Sequence, residues 1–139
     1  MPVMNSVYRH RVAERDLTDL VAYEAAGGYV ALKKALAMDG DDVLYQFHRS
    51  GLRGRGGAGF PMGRKASFLP KDSPMPAYVV CNGDESEPGT FKDREIMRWT
   101  PHQLLEGCAI AAYAIQAERC YIYVRGEFMA EPIPRFEAA

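Results

Sequence analysis

Between Ser50 and Lys65 the chain reads SGLRGRGGAGFPMGRK, with glycine at positions 51, 54, 56, 57, 59 and 63. Neither a helix nor a strand interior tolerates such a run. Glycine reaches left-handed backbone angles without steric cost and loses the most entropy on ordering. A chain keeps this density of glycine where its backbone curls tightly, or where a ligand must come close to main-chain N–H groups. Arg53, Arg55, Arg64 and Lys65 are threaded through the same run. Bare amides beside cations describe a seat for an anion, most often a phosphate. A solvated linker would favour Ser and Pro over Arg, Phe and Ala.

The type of seat is narrower than the glycines alone suggest. Gly54, Gly56 and Gly59 satisfy G-x-G-x-x-G. That fingerprint requires a buried strand before it and an acidic residue about 20 positions later. Here the preceding DDVLYQFHRS reads as a helix, and the next acid after the loop, Asp72, comes too early. No G-x-x-x-x-G-K-[ST] is present either. The run is a phosphate loop of neither standard type.

At 139 residues the chain is long enough for one domain with a core. Seventeen Lys and Arg against eighteen Asp and Glu argue against wholesale binding to nucleic acid or to a membrane surface. Residues 1–16 read as a loose polar leader with no signal peptide. The longest apolar run, LLEGCAIAAYAI, contains Glu106 and is too short to span a bilayer. Cys81, Cys108 and Cys120 form no C-x-x-C and are expected as reduced, buried packing residues of a cytosolic protein.

Helices are expected over 17–26, 29–38, 43–50 and 60–68, with Gly40 as a stop signal and Asp41 or Asp42 as the third cap. His48 is read as a surface or packing residue. AYVVCN (77–82) reads as a buried strand. The acidic, Gly- and Pro-containing stretch NGDESEPGTFKD follows it, carrying Asp84, Glu85 and Glu87. By itself that stretch reads more readily as a hydrophilic turn than as a site. Asp93 or Thr90 is expected to cap a short helix, REIMRW. Thr100-Pro101 then opens a longer one over 101–117, followed by a strand over 120–128. A strand–helix–strand crossover implies parallel pairing. The fold class is therefore α/β, a Rossmann-like parallel sheet with flanking helices. A helical segment (1–48) precedes the front part of a nucleotide-binding domain (49–139). Two parallel strands are too few for a stable sheet, so the chain reads as truncated.

SGLRGRGGAGFPMGRK, NGDESEPGTFKDRE and YVRGEF, in that order, resemble the NADH-binding, FMN-containing subunit of respiratory complex I (NADH-quinone oxidoreductase). The same module occurs in NAD-linked hydrogenases and formate dehydrogenases. The resemblance implies two cofactors, FMN and NADH, with hydride passing from one to the other. It places Gly54, Arg55, Gly56, Gly57, Ala58, Gly59 and Lys65 on the FMN phosphate and ribityl chain. Asn82, Asp84, Glu85 and Ser86, with Tyr123, Gly126 and Glu127, would line the flavin. Phe60 and Phe68 would sandwich the adenine of NADH. Glu87 would touch both flavin and nicotinamide nucleotide, the catalytic position. Electrons would pass singly to iron–sulfur clusters, yet the family's [4Fe–4S] ligands lie in a C-terminal helical domain that this chain lacks. Partners would be other peripheral-arm subunits, especially the small thioredoxin-like [2Fe–2S] subunit. The protein would be cytoplasmic and reach the membrane only through the complex. Met62, Arg64, Ala66 and Gly83 stand where Thr, Leu, Trp and Ala are usual. A truncated nucleotide-binding module without turnover, or a phosphate binder without redox chemistry, are the alternatives.

Overall fold

The computed structural model describes residues 16–70 and 73–139. Apart from Asp16, the expected leader lies outside them. Helix α1 (Leu20–Ala25) begins later than expected because Asp19 takes the cap, its carboxylate accepting from Ala22 N–H at 2.9 Å. The chain then turns sharply through Gly27 (φ 93°) and Tyr29 (φ 59°) into α2 (Val30–Leu36). Asp39 holds the N-cap position of helix α3 (Gly40–Ser50), just before the expected Asp41 or Asp42, without a capping hydrogen bond from its side chain. Gly40, expected as a stop, is instead the first residue of α3. A Cβ there would lie 2.9 Å from the Ala114 carbonyl oxygen, so glycine permits the close approach. Gly51, at φ 65°, ends α3 in the left-handed conformation that glycine favours.

Helix α4 is short (Met62–Ala66), with Pro61 as its N-cap. Strand β1 (Tyr78–Gly83) follows, then α5 (Lys92–Trp99), α6 (Pro101–Ala114) and β2 (Arg119–Val124). A 3-10 turn over Gly126–Phe128 leads to α7 (Ile133–Ala138). Pro101 occupies the first turn of α6, where its missing N–H is harmless. As the crossover requires, β1 and β2 pair in parallel, with Asn82 opposite Tyr123 and Gly83 opposite Val124.

The central element is α6. One side packs Ala114 against Ala35 and Val43, with Ile110 and Tyr113 completing the contact. Toward β2 and α7, Leu104 meets a second cluster built on Met97, Phe128 and Ile133. The two polar residues buried in α6 are both satisfied. Glu106 accepts from the Tyr23 hydroxyl at 2.5 Å, from Tyr29 N–H at 3.0 Å and from Leu32 N–H at 3.0 Å. It therefore caps α2 from another helix, satisfying amides that α2 leaves without partners. His102 lies within hydrogen-bond distance of the Tyr29 hydroxyl (2.9 Å) and of the Thr18 carbonyl (3.2 Å). Burial and the Glu106 carboxylate together push the Tyr23 phenol well above its ordinary range.

The sheet is covered on one side by α6. Its other side leaves Tyr78, Val80, Tyr121 and Tyr123 exposed. Cys108 is buried and Cys81 half-buried, but Cys120 is exposed, contrary to expectation. Strand β2 is paired along one edge only, which leaves its start open. Among the described residues no helix is long and apolar enough to cross a membrane.

Gly63 is buried where α4 crosses α3, and a Cβ there would lie 2.5 Å from His48 Cα. Backbone cannot yield as a side chain can. Gly63→Ala should lower stability by about 1–3 kcal/mol in urea unfolding. Gly83→Ala should cost less, because its nearest obstacle is the flexible end of Met97.

Candidate functional site

The glycine loop closes on itself. Gly54 N–H donates to the Phe60 carbonyl at 2.9 Å, and Met62 N–H donates to that of Leu52 at 2.8 Å. The Arg53 guanidinium donates to the Gly59 carbonyl at 3.1 Å, so this arginine is spent inside the loop. Between those ties, Gly57 (φ 111°) and Gly59 (φ 60°) adopt angles that a side chain resists. Among the described residues, no backbone N–H from Arg55 to Phe60 donates to the protein. Nothing lies within 4 Å of where a Cβ would stand at Gly56, Gly57 or Gly59. Arg55 and Lys65 are exposed, and neither has a hydrogen-bond or ion-pair partner among the described residues. Open amides, two uncommitted cations and room for close approach suit a phosphate.

Beyond the loop, Phe60 and Phe68 stand 6.0 Å apart at an interplanar angle of 49°. They touch, and no gap for a base is open between them in this arrangement. The Arg64 guanidinium carbon lies 5.8 Å from the Phe60 centroid and 6.0 Å from that of Phe68.

The second half of the site is at the carboxyl ends of the strands, where ligands bind in open α/β sheets. Asn82 makes a local turn, its side-chain oxygen accepting from Asp84 N–H at 2.9 Å. Ser86 Oγ donates to the Asp84 carboxylate at 3.0 Å. Pro88 and Gly89 (φ 81°) form the next bend, closed by Thr90 N–H donating to the Glu87 carbonyl at 3.1 Å. Ser86, Glu87, Gly126 and Glu127 are exposed, and Tyr123 stands on the open sheet face beside Asn82.

Glu85 is placed differently from its neighbours. It is 2% exposed. One carboxylate oxygen accepts from Asp93 N–H at 2.7 Å, and the other accepts from Arg94 Nε at 3.0 Å and Arg94 N–H at 3.3 Å. This carboxylate, expected to line a flavin, is turned inward and caps α5. The cap expected from Asp93 or Thr90 is thus supplied from the preceding loop. Arg125, which sequence reasoning passed over, completes the frame. It donates to the Glu85 carbonyl at 2.5 Å and pairs with Glu127 at 2.5 Å, locking the two strand ends together. The signal lay in the R-G-E order at the end of β2. Its guanidinium, with the Glu127 amide, pulls the Glu127 carboxyl down to about 2.

The structure therefore assembles Asn82, Asp84, Ser86, Tyr123, Gly126 and Glu127 at one sheet edge, and the loop residues with Lys65 as a second group. No hydrogen bond among the described residues crosses between them. A cavity of about 1180 Å³ between α3, α4 and the end of α6 is lined by Asp39, Tyr45, His48, Ser67, Met75 and Gln116, not by the candidate site residues. Among the described residues, no group of three or more His, Cys, Asp or Glu side chains is arranged to hold a metal ion.

Burial alone would push the Glu85 carboxyl up, but the Asp93 and Arg94 hydrogen bonds outweigh it and hold it below the usual range. A carboxyl depressed in the folded state adds stability above its unfolded value of about 4.3, lost as pH falls through the folded value. Acid unfolding should therefore steepen below about pH 4.3 in the wild type. Glu85→Gln should flatten that profile and lower stability at neutral pH by about 2 kcal/mol.

Residues 47–139 match the family described as the Nuo51 FMN-binding domain. The chain is 56% identical over 121 residues to an NADH-quinone oxidoreductase subunit of Rhizobium meliloti (strain 1021), covering 86% of this chain and 28% of that protein. It is 53% identical over 113 residues to the corresponding NADH-quinone oxidoreductase subunit of Rickettsia typhi (strain ATCC VR-144 / Wilmington), covering 81% of this chain and 27% of that one. A crystal structure of NAD+-reducing [NiFe]-hydrogenase in the air-oxidized state is similar at a TM-score of 0.66 and 42% identity, over 72% of this chain and 18% of that one. The chain thus spans little more than a quarter of these curated relatives.

Proposed function

The chain belongs to the family of the Nuo51 FMN-binding domain, and on that premise we propose that it forms the FMN- and NADH-binding part of a complex I-type NADH dehydrogenase subunit. The observation that carries this reading is the closed glycine loop, with its undonated amides beside Arg55 and Lys65. In this assignment Gly54, Arg55, Gly56, Gly57, Ala58, Gly59 and Lys65 hold the FMN phosphate. Asn82, Asp84 and Ser86, with Tyr123, Gly126 and Glu127, offer acceptors, a hydroxyl and an aromatic face to the ribityl chain and ring. Glu85 acts by position, fixing the loop that presents them.

FMN, when bound, supplies both hydride acceptance and release of single electrons. The protein's own task is to bind and orient. Phe60 and Phe68 offer ring faces to the adenine of NADH once they part. Glu87, exposed beyond the Asp84 turn, is assigned to the contact between flavin and nicotinamide nucleotide. Iron–sulfur clusters of the assembled enzyme would supply the onward path for those electrons. The partners in this reading are peripheral-arm subunits, including the thioredoxin-like [2Fe–2S] one, and the chain is held at the membrane only through them.

A second reading, the equivalent module of an NAD-linked hydrogenase, draws on the likeness to the hydrogenase structure. The two share this site and differ in the final acceptor.

Titration of FMN with the purified chain, followed by quenching of flavin fluorescence, tests the proposal. The wild type should bind saturably, and Lys65→Ala should weaken binding about tenfold, as expected for one charge-assisted phosphate contact. Quenching that fails to saturate in the wild type, or is untouched by Lys65→Ala, would sink it.

A further inference from the structure

Cys81, Cys108 and Cys120 are the only cysteines in the chain, and they come from three different elements. Along β1, Tyr78 and Val80 point to the open face, so Val79, Cys81 and Gly83 turn toward α6. On β2 the same alternation sends Tyr121 and Tyr123 outward and Cys120, Ile122 and Val124 toward α6. Register sets Cys120 beside Val79, two residues before Cys81 on the same face. Helix α6, which lies against both strands, carries Cys108 near its middle, where it is buried. The Cys108 thiol is hydrogen-bonded with both Cys81 and Cys120. Helix α6 covers Cys81 more fully than Cys120, which stays exposed.

Three converging thiols suit either a soft metal ion or thiol oxidation. Among the described residues they are not arranged to hold a metal ion. They are also not equivalent. The Cys108 S–H donates to Cys81 Sγ and holds the Cys81 thiol below its ordinary range, against burial and the Asp93 carboxylate and with help from Lys92. The same hydrogen bond, together with burial, pushes Cys108 up. A sulfur that ionises readily therefore sits beside one that keeps its proton. Oxidation in two steps needs such a pair, because one sulfur attacks and the other resolves.

We propose that Cys81 and Cys108 form a peroxide-sensitive dithiol that closes a disulfide between β1 and α6. The Cys81 thiolate attacks one oxygen of hydrogen peroxide and the O–O bond breaks. Cys81 becomes a sulfenic acid, and the departing hydroxide takes up a proton as water. The Cys108 sulfur then attacks the sulfenic sulfur and gives up its own proton. The S–S bond forms, the S–O bond breaks, and the hydroxyl leaves with that proton as a second water. Two thiols thus lose two electrons and two protons, and peroxide is reduced to two waters. In a reducing compartment the bond is transient, because thiol reductants reverse it. Cys81 immediately precedes Asn82, so the disulfide pins to α6 the end of β1 from which the Asp84–Ser86 turn departs.

The test treats the purified chain with hydrogen peroxide, blocks remaining thiols with N-ethylmaleimide, and maps non-reduced peptides by mass spectrometry. The folded chain should lose two hydrogen atoms in mass and yield a Cys81–Cys108 cross-linked peptide that dithiothreitol removes. Cys120→Ala should leave that peptide in place. Cys108→Ala should abolish it and leave a Cys81 sulfenic acid that dimedone captures. In the urea-unfolded chain the shorter Cys108–Cys120 loop should instead be preferred, by about threefold for loops differing roughly twofold in length. A principal bond that includes Cys120 in the folded chain, or a folded map identical to the unfolded one, would overturn the proposal. Sulfenic acids that accumulate in the wild type without any cross-link would do the same. No cofactor enters the experiment, so its result stands apart from the FMN reading.

Discussion

The buried carboxylate of Glu85 holds the sheet-edge half of the site in place. It sits where three segments converge: the loop leaving β1, the start of α5 and, through its carbonyl, the Arg125 side chain at the end of β2. An ionised group in such a place is tolerable only when its lone pairs are satisfied. Two helix N–H groups and a guanidinium do so here, and the positive end of α5 adds to them. The consequence is geometric. With Glu85 anchored, Asp84 and Ser86 are carried outward on a loop whose ends cannot drift, and Glu127 is fixed against the same frame.

Helix α6 performs the equivalent task for the remainder of the molecule. It lies against both strands of the sheet, while Glu106 and His102 organise α1 and α2. Here too a buried carboxylate caps a helix distant in sequence. Both α2 and α5 therefore draw an N-terminal partner from elsewhere in the fold. The glycine loop is built on another principle. It makes few contacts, closes through its own backbone and leaves its central amides open, the arrangement of a surface that waits for an anion.

Much of the architecture was legible in the residues. Pro101 marked a helix start, Gly51 a helix end, and the apolar runs around Val79 and Ile122 marked two strands joined by a helical crossover. The errors have a shared cause. Gly40 looked like a stop, yet it serves a close approach to Ala114. Asp93 and Thr90 looked like caps, yet Glu85 supplies that cap. Glu85 looked like one of several acids on a wet turn, yet its side chain is buried. Cys120 looked like a packing residue, yet at the start of β2 it is exposed. In each case local chemistry offered a sufficient explanation, and the packing of the folded chain gave another.

The sequence by itself determined the chemical inventory. Glycine spacing fixed where the backbone could curl, and the threaded cations set the sign of what it could bind. The strand–helix–strand order fixed parallel pairing, because a crossover of that kind closes in one way. The tertiary structure alone decided which charges remain available. Arg53 and Arg55, alike in sequence, differ because one reaches the Gly59 carbonyl and the other does not. Glu85 and Glu87, two positions apart, differ because one meets the α5 amides and the other meets water. Charge availability depends on how the folded backbone brings a side chain against a nearby segment, as Arg53 meets Gly59 and Glu85 meets the start of α5, and only folding sets those distances.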